Sequence, residues 1–236
     1  MALPKLTVPK YELVVPSTGE VIKYRPYLVK EEKVLMMAIE SKDQNQMLNA
    51  LKDVISGCTE GKVKPDKLKA FDLEYIFIKL RCKSVGENAN IMVKCMINSC
   101  ETKNELTIPL DEIAVKGEMI QEFNLKLSED VGMILKYPNI KDIQKGLTLK
   151  DNNQDIGFAT IVNMIESIYD ADNVYPASSE TQQSLTDFID SLSSDQFKKI
   201  HEFVSKMPKV TYNATFKCNK CKETNDIMLE GLQNFF

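Results

Sequence analysis

The sequence predicts an α+β fold. In it, β-hairpins carry two cysteine knuckles, helices follow an N-terminal hairpin, and a mainly helical insertion separates the two knuckles. Three observations point there. Each of two close cysteine pairs, Cys95 with Cys100 and Cys218 with Cys221, follows a short run of β-type residues. The surroundings of the two pairs repeat one another. Between them, from Ser128 to Met207, apolar residues recur mainly at helical spacing. The boundaries that follow are residues 1–90 for the hairpin and its helices, 91–127 with 208–236 for the split cysteine module, and 128–207 for the insertion.

Tyr11–Val15 and Glu20–Tyr24 are rich in β-formers and flank Pro16-Ser17-Thr18-Gly19, a turn cluster, so they read as a hairpin. A helix follows from Lys30 to Ser41, with Val34, Leu35, Ala38 and Ile39 on one face. Lys30–Lys33 then forms a solvated face, and Met36-Met37 reads as core packing before adaptable binding surface. A second helix spans Asn45–Ile55, with Leu48, Leu51 and Ile55 inward and Gly57 as its stop. A third spans Pro65–Arg81 with Leu68, Phe71, Ile76 and Leu80 buried, and Val85-Gly86 breaks it. Glu74 and Arg81 on it suit an interface, an interhelix pair or an internal salt bridge.

Ile91–Val93, Leu106–Ile108 and Phe123–Leu127 read as strands. Ser128 is expected to cap a short helical segment ending near Tyr137-Pro138. Ile156–Tyr169 places Phe158, Ile161, Val162, Ile165 and Ile168 at helical spacing, and Asp170–Thr181 reads as a loop. Leu185–Leu192 is helical. Ser193 and Gln196 form a capping box for a helix reaching Lys206, which Pro208 stops. Tyr212–Phe216 alternates as a strand into the last cysteine pair.

The repeat aligns Val93-Lys94-Cys95 with Phe216-Lys217-Cys218, and Cys100 to Leu106 with Cys221 to Ile227. Each copy is strand, Lys-Cys, turn, Cys, polar stretch, strand, which is a hairpin with cysteines at its tip. Zinc takes four ligands in a tetrahedron, and four thiolates make a closed structural site. Cys218-Asn219-Lys220-Cys221 has the C-x2-C form and Cys95 to Cys100 the looser C-x4-C form, so Cys95, Cys100, Cys218 and Cys221 are the candidate ligands of one structural zinc. The module is then a zinc ribbon whose halves are split by the insertion, and the metal staples a late hairpin to an early one. Lys94, Lys217, Lys220 and Lys222 stand beside the ligands, where they offset the charge of a tetrathiolate or touch phosphates. Ordinary reduced thiols and a redox dithiol are the competing readings. A redox C-x-x-C opens a helix, whereas Cys218 follows a strand. Cys58 and Cys82 lie outside the repeat and read as core or helix-end residues.

With 236 residues, 27% charged, and a formal net charge of −4, the chain exerts no strong global field toward nucleic acid or an anionic membrane. No apolar run approaches the roughly 18 residues of a bilayer span, and Met1–Lys10 has no apolar h-region. The expectation is a protein made in the cytosol, where close cysteines signal metal or redox chemistry before disulfides. The single histidine, His201, lies in a helix with Phe197, Ile200 and Val204 and reads as a packed or solvent-facing residue. Gly57–Val63 imitates a phosphate loop but is one residue short between its glycines and lacks the hydroxyl that ligates magnesium. A four-thiolate zinc leaves no open position to activate water, so no enzyme is expected. Leu232, Phe235 and Phe236 either anchor a partner or dock back on the chain.

Three stretches carry a resemblance: Tyr24-Arg25-Pro26-Tyr27-Leu28-Val29-Lys30-Glu31-Glu32-Lys33, then Phe71 to Arg81 followed by Lys83-Ser84-Val85-Gly86-Glu87, then Ile134-Leu135-Lys136-Tyr137-Pro138. In that order the chain, from about Tyr11 onward, resembles the baseplate hub proteins of T-even-type contractile-tailed bacteriophages, the middle stretch being the most specific. The resemblance implies a hub component or a hub assembly factor, other tail hub proteins as partners, and a location in the host cytoplasm during assembly or in the virion tail baseplate. It carries over no active-site residue. A zinc-ribbon protein binding nucleic acid or assisting transcription is the alternative, and a dithiol redox protein a third.

Overall fold

The computed structural model describes residues 6–97, 100–120, 122–149 and 156–235. They form mixed α and β structure with small antiparallel sheets, and the chain divides into two compact units. The first comprises Met1–Pro65, Phe71–Lys116 and Lys209–Phe236, the second Asp66–Ala70 and Gly117–Pro208.

The first unit opens on the expected hairpin, β1 (Tyr11–Val14) paired with β2 (Val21–Tyr24), with Gly19 supplying the positive φ of the turn. Its alternation buries Leu13, Ile22 and Tyr24. Two helices follow, α1 (Val29–Ser41) and α2 (Gln44–Cys58). Asp43 caps α2 by accepting the N–H groups of Asn45 and Gln46, which starts the helix one residue before the expected position. The helix runs through Gly57, the expected stop, to Cys58.

The face of α1 needs correction. Leu35 and Ala38 are buried, but Val34 and Ile39 are exposed, as are Met36 at 55% and Met37 at 70%. The methionine pair is surface, because α1 turns only the narrow side bearing Glu31, Leu35 and Ala38 inward. Glu31, expected on a solvated face, is buried. Arg25 donates to its Oε1 at 2.8 Å, and its Oε2 accepts the Leu28 N–H at 2.8 Å. Burial opposes its charge, but the guanidinium and that N–H outweigh it and hold the carboxyl below the usual range.

Pro65–Lys67 forms a separate 3-10 turn, so the third helix, α3, spans Ala70–Ser84. It is buried on nearly all sides, including Phe71, Leu73, Ile76, Phe77, Ile78, Leu80 and Cys82. Fully buried Asp72 in its first turn accepts the Ser17 N–H at 2.9 Å and the Ser17 hydroxyl, which ties the first hairpin's turn to α3. Glu74 accepts the backbone N–H of Leu232.

Two further hairpins complete the unit: β3 (Asn88–Lys94) with β4 (Lys103–Pro109), and β10 (Lys209–Lys217) with β11 (Thr224–Glu230). The short strand β5 (Ala114–Lys116), which the sequence reading missed, extends the second into the order β11-β10-β5. The inward residues Ala89, Ile108, Val210 and Leu229 share a core with Ile78, Leu110, Ile113 and Phe235. Phe235 thus docks back on its own unit, while Phe236 lies outside the described residues.

Among its described residues, the second unit holds a four-stranded sheet in the order β6-β7-β8-β9 and four α-helices. The strands are β6 (Phe123–Lys126), β7 (Gly132–Leu135), β8 (Ile165–Tyr169) and β9 (Val174–Pro176). The helices are α4 (Ile140–Leu149), α5 (Ile156–Asn163), α6 (Gln182–Asp190) and α7 (Ser194–Lys206). The capping box of α7 is present, with Ser193 N–H donating to Gln196 Oε1 at 2.8 Å and Gln196 N–H to Ser193 Oγ at 3.3 Å. Two expectations fail here. Ser128 caps no helix: its Oγ accepts the Val131 N–H at 3.0 Å in a turn, and Gly132–Leu135 is an interior strand. The expected helix over Ile156–Tyr169 ends at Asn163, and Ile165–Tyr169 pairs with β7. Short apolar runs buried in a sheet interior have the periodicity of neither element, and β-branched Ile165 and Ile168 with Tyr169 favour the strand. Within the expected loop, β9 forms the sheet edge.

Candidate metal centre

The two long hairpins of the first unit are built alike. β4 and β11 share one burial pattern residue for residue, and their pairings Lys94↔Lys103 and Lys217↔Thr224 fall at equivalent places. At each tip the first cysteine donates its backbone N–H back across the turn: Cys95 to Thr102 O at 2.9 Å, and Cys218 to Glu223 O at 2.9 Å. The residue after each second cysteine, Glu101 and Lys222, takes a positive φ of 44° and 65°, which closes the turn. The sequence repeat is therefore a repeat of backbone conformation.

The tips meet. Cys95, Cys100, Cys218 and Cys221 bring their sulfurs within 4.8 Å of one another. Cys95 Sγ lies 3.7 Å from Cys221 Sγ, and Cys100 Sγ lies 3.7 Å from Cys218 Sγ, so two close sulfur pairs cross from one hairpin to the other. Thiolate–zinc bonds of about 2.3 Å at tetrahedral angles place sulfurs about 3.8 Å apart. Four thiols at the observed spacing can hold one ion of that size and geometry. Cys95 and Cys218 are buried and Cys100 and Cys221 half-buried.

Local hydrogen bonds favour negative charge at Cys218 and Cys100. The backbone N–H of Cys221 and then that of Lys220, with help from the Asn104 amide, outweigh burial and lower the Cys218 thiol to about 6. Thr102, by hydroxyl and N–H, lowers Cys100. At Cys221 the Glu223 N–H favours the thiolate, but burial and the sulfurs of Cys218, Cys95 and Cys100 prevail and push it up to about 12. A cation bound among the four sulfurs would displace the protons they still carry.

Two residues that the sequence reading passed over bind the tips together. Asn104 Oδ1 accepts the backbone N–H of Asn219 at 2.8 Å, and Asn225 Oδ1 accepts that of Met96 at 2.7 Å. Each asparagine sits four residues past its hairpin's second cysteine and grips the residue after the other hairpin's first cysteine. Asn104 Nδ2 donates to Thr102 O at 2.9 Å and lies 3.7 Å from Cys218 Sγ, while Asn225 Nδ2 donates to Glu223 O at 3.1 Å. The signal was in the repeat, which aligns Asn104 with Asn225.

The other sequence-level candidates lie elsewhere. Cys58, at the end of α2, and Cys82, in α3, are buried and apart from the cluster, and burial pushes the Cys58 thiol up to about 11. Gly57–Val63 opens on the C-terminal turn of α2, where Thr59 Oγ1 donates to Ile55 O at 2.7 Å; a helix C-terminus offers carbonyls, the reverse of a phosphate cradle. His201 is exposed on α7 and meets the Phe197 ring edge-on at 5.0 Å. Lys94, Lys217, Lys220 and Lys222 are exposed around the tips. Among the described residues, no helix is long and apolar enough to cross a membrane.

Comparison with known proteins adds three findings. The chain is similar to a putative structural protein, VP1, of Aedes pseudoscutellaris reovirus (isolate France), with 34% identity over 105 residues; the match takes in 42% of this chain and only 9% of that protein. No solved structure matches. A family described as T4 bacteriophage base plate protein matches residues 8–236. Since that match runs through both compact units and nearly the whole of the 236 residues, the chain belongs to the T4 bacteriophage base plate protein family.

Proposed function

We propose that the protein is a non-enzymatic structural component or assembly factor of a phage tail baseplate hub, stabilised by one zinc ion on Cys95, Cys100, Cys218 and Cys221. The observation that carries the baseplate role is the family match over residues 8–236, and the similarity to a putative viral structural protein agrees with it. The tetrad supports the zinc: four sulfurs within 4.8 Å of one another present a closed donor set with no position left for a reacting water. The metal's part is then architectural. It clamps the last hairpin of the first unit to one that precedes it by more than a hundred residues, and so closes a long loop of chain.

Its partners are other tail hub proteins, and its place is the host cytoplasm during assembly or the baseplate of the finished tail. Mass spectrometry of purified virions tests this directly. Presence at fixed stoichiometry marks a resident component, co-purification with hub proteins only from infected cells marks an assembly factor, and absence from both overturns the reading. Elemental analysis of the purified chain should return one zinc per molecule. The exposed lysines about the tips favour one rival, a zinc ribbon that contacts nucleic acid. DNA binding that falls steeply with added salt would support the rival instead.

A further inference from the structure

The two asparagines invite a question that the cysteines do not. A tetrathiolate site needs its ligands gathered, and two side-chain amides join the turns that carry them. Asn104 and Asn225 are 2% and 3% exposed, so each amide is out of water and its hydrogen bonds are made in a low-dielectric setting. Their acceptor oxygens reach across the interface between hairpins, that of Asn104 to Asn219 N–H and that of Asn225 to Met96 N–H and, at 3.4 Å, the Cys95 thiol, while their donors turn to their own hairpin, to Thr102 O and Glu223 O. Those two carbonyls also receive the N–H of Cys95 and Cys218. Each asparagine therefore joins the cysteine-bearing turn of its own hairpin to the first cysteine of the other. The arrangement occurs twice, in equivalent positions of the repeat.

We propose that Asn104 and Asn225 are reciprocal positioning residues for the metal centre, holding the two cysteine turns in register so that the four sulfurs are assembled before an ion arrives. This rests on the reading of the four cysteines as a metal site. Asn104 has a second part: its Nδ2, 3.7 Å from Cys218 Sγ, donates to that sulfur and helps to fix where it points.

The test uses the full-length, reduced chain in two states, stripped of metal by a chelator and titrated with Co2+. Amide hydrogen exchange on the stripped protein has a crossed signature. Asn104→Ala should speed exchange of the Asn219 amide by about tenfold or more and leave Met96 unchanged, and Asn225→Ala should do the reverse. Both should weaken Co2+ binding by about 10- to 100-fold, as loss of contacts supporting the ligands does elsewhere. Asn104→Asp keeps the acceptor for Asn219 but loses the donor to Cys218, so it should retain Asn219 protection while Co2+ affinity still falls. It also serves if the alanine variant does not fold. Unchanged exchange at both amides overturns the proposal, and so does exchange that rises at both in either variant. A native chain that takes up neither Co2+ nor Zn2+ sinks the zinc reading alone; the crossed exchange pattern then decides the asparagines by itself.

Discussion

Cys95 and Cys221 are 126 residues apart in the chain, yet their sulfurs stand 3.7 Å apart, each at the tip of a different hairpin. An ion held among all four sulfurs links the two hairpins.

That linkage sets the cysteines apart in a mutational test. Cys100→Ser and Cys218→Ser should each lower unfolding stability by more than about 4 kcal/mol, in the range typical of a lost metal ligand. Cys58→Ser, buried but outside the cluster, should cost within about 2 kcal/mol. Urea unfolding with and without a chelator checks this: the chelator should shift the native protein and Cys58→Ser strongly and the ligand variants little. Equal loss at all three positions would remove the basis for the ligand assignment.

In the second unit, Tyr169 on β8 lies opposite Gly132 on β7, and a Cβ at 132 would sit 2.2 Å from its hydroxyl oxygen. The phenol crosses over β7 to donate to Asn124 Oδ1 on β6 at 2.6 Å. Gly132→Ala should displace the ring and lose that bond, destabilising by about 1–3 kcal/mol. Calorimetry of Gly132→Ala with Tyr169→Phe and the double variant should show non-additive losses, because both single changes remove the same hydrogen bond.

Phe235 is fully buried in the core shared by α3 and the two long hairpins. Phe235→Ala should cost about 3–5 kcal/mol by leaving a cavity. Denaturant unfolding measures it. A loss below about 1 kcal/mol would mean the residue is free to serve a partner instead.

Glu74 carries a predictable pH dependence. Burial raises its pKa above the ordinary carboxylate value, and the Leu232 N–H offsets only part of the shift. The folded state then binds the proton more tightly than the unfolded state, so Glu74's contribution to stability is complete below the ordinary value of about 4.5 and is lost as pH rises through the raised one. Glu74→Gln should flatten that decline and leave the variant more stable than the native chain at neutral pH. Melting temperatures across pH 4 to 8 decide it; a slope that survives the substitution belongs to another group.

The sequence by itself determined what is local. Turn chemistry at Pro16 to Gly19, the Ser193 capping box, and the apolar alternation of the hairpin strands each act within a few residues, so they are written in order along the chain. The repeat around the cysteines belongs with them, since two like segments fold alike, and it picks out the four cysteines whose sulfurs cluster. Only the tertiary structure decided what depends on neighbours distant in sequence. It made strands of Gly132–Leu135 and Ile165–Tyr169, because pairing in a sheet interior overrides a short helical pattern. It buried Glu31 beside Arg25 and left Met36 and Met37 in solvent, because burial follows from what packs against α1. It set Cys95 against Cys221, and crossed Asn104 and Asn225 between the hairpins, because an amide's hydrogen-bond partner is fixed by where a second segment arrives in space.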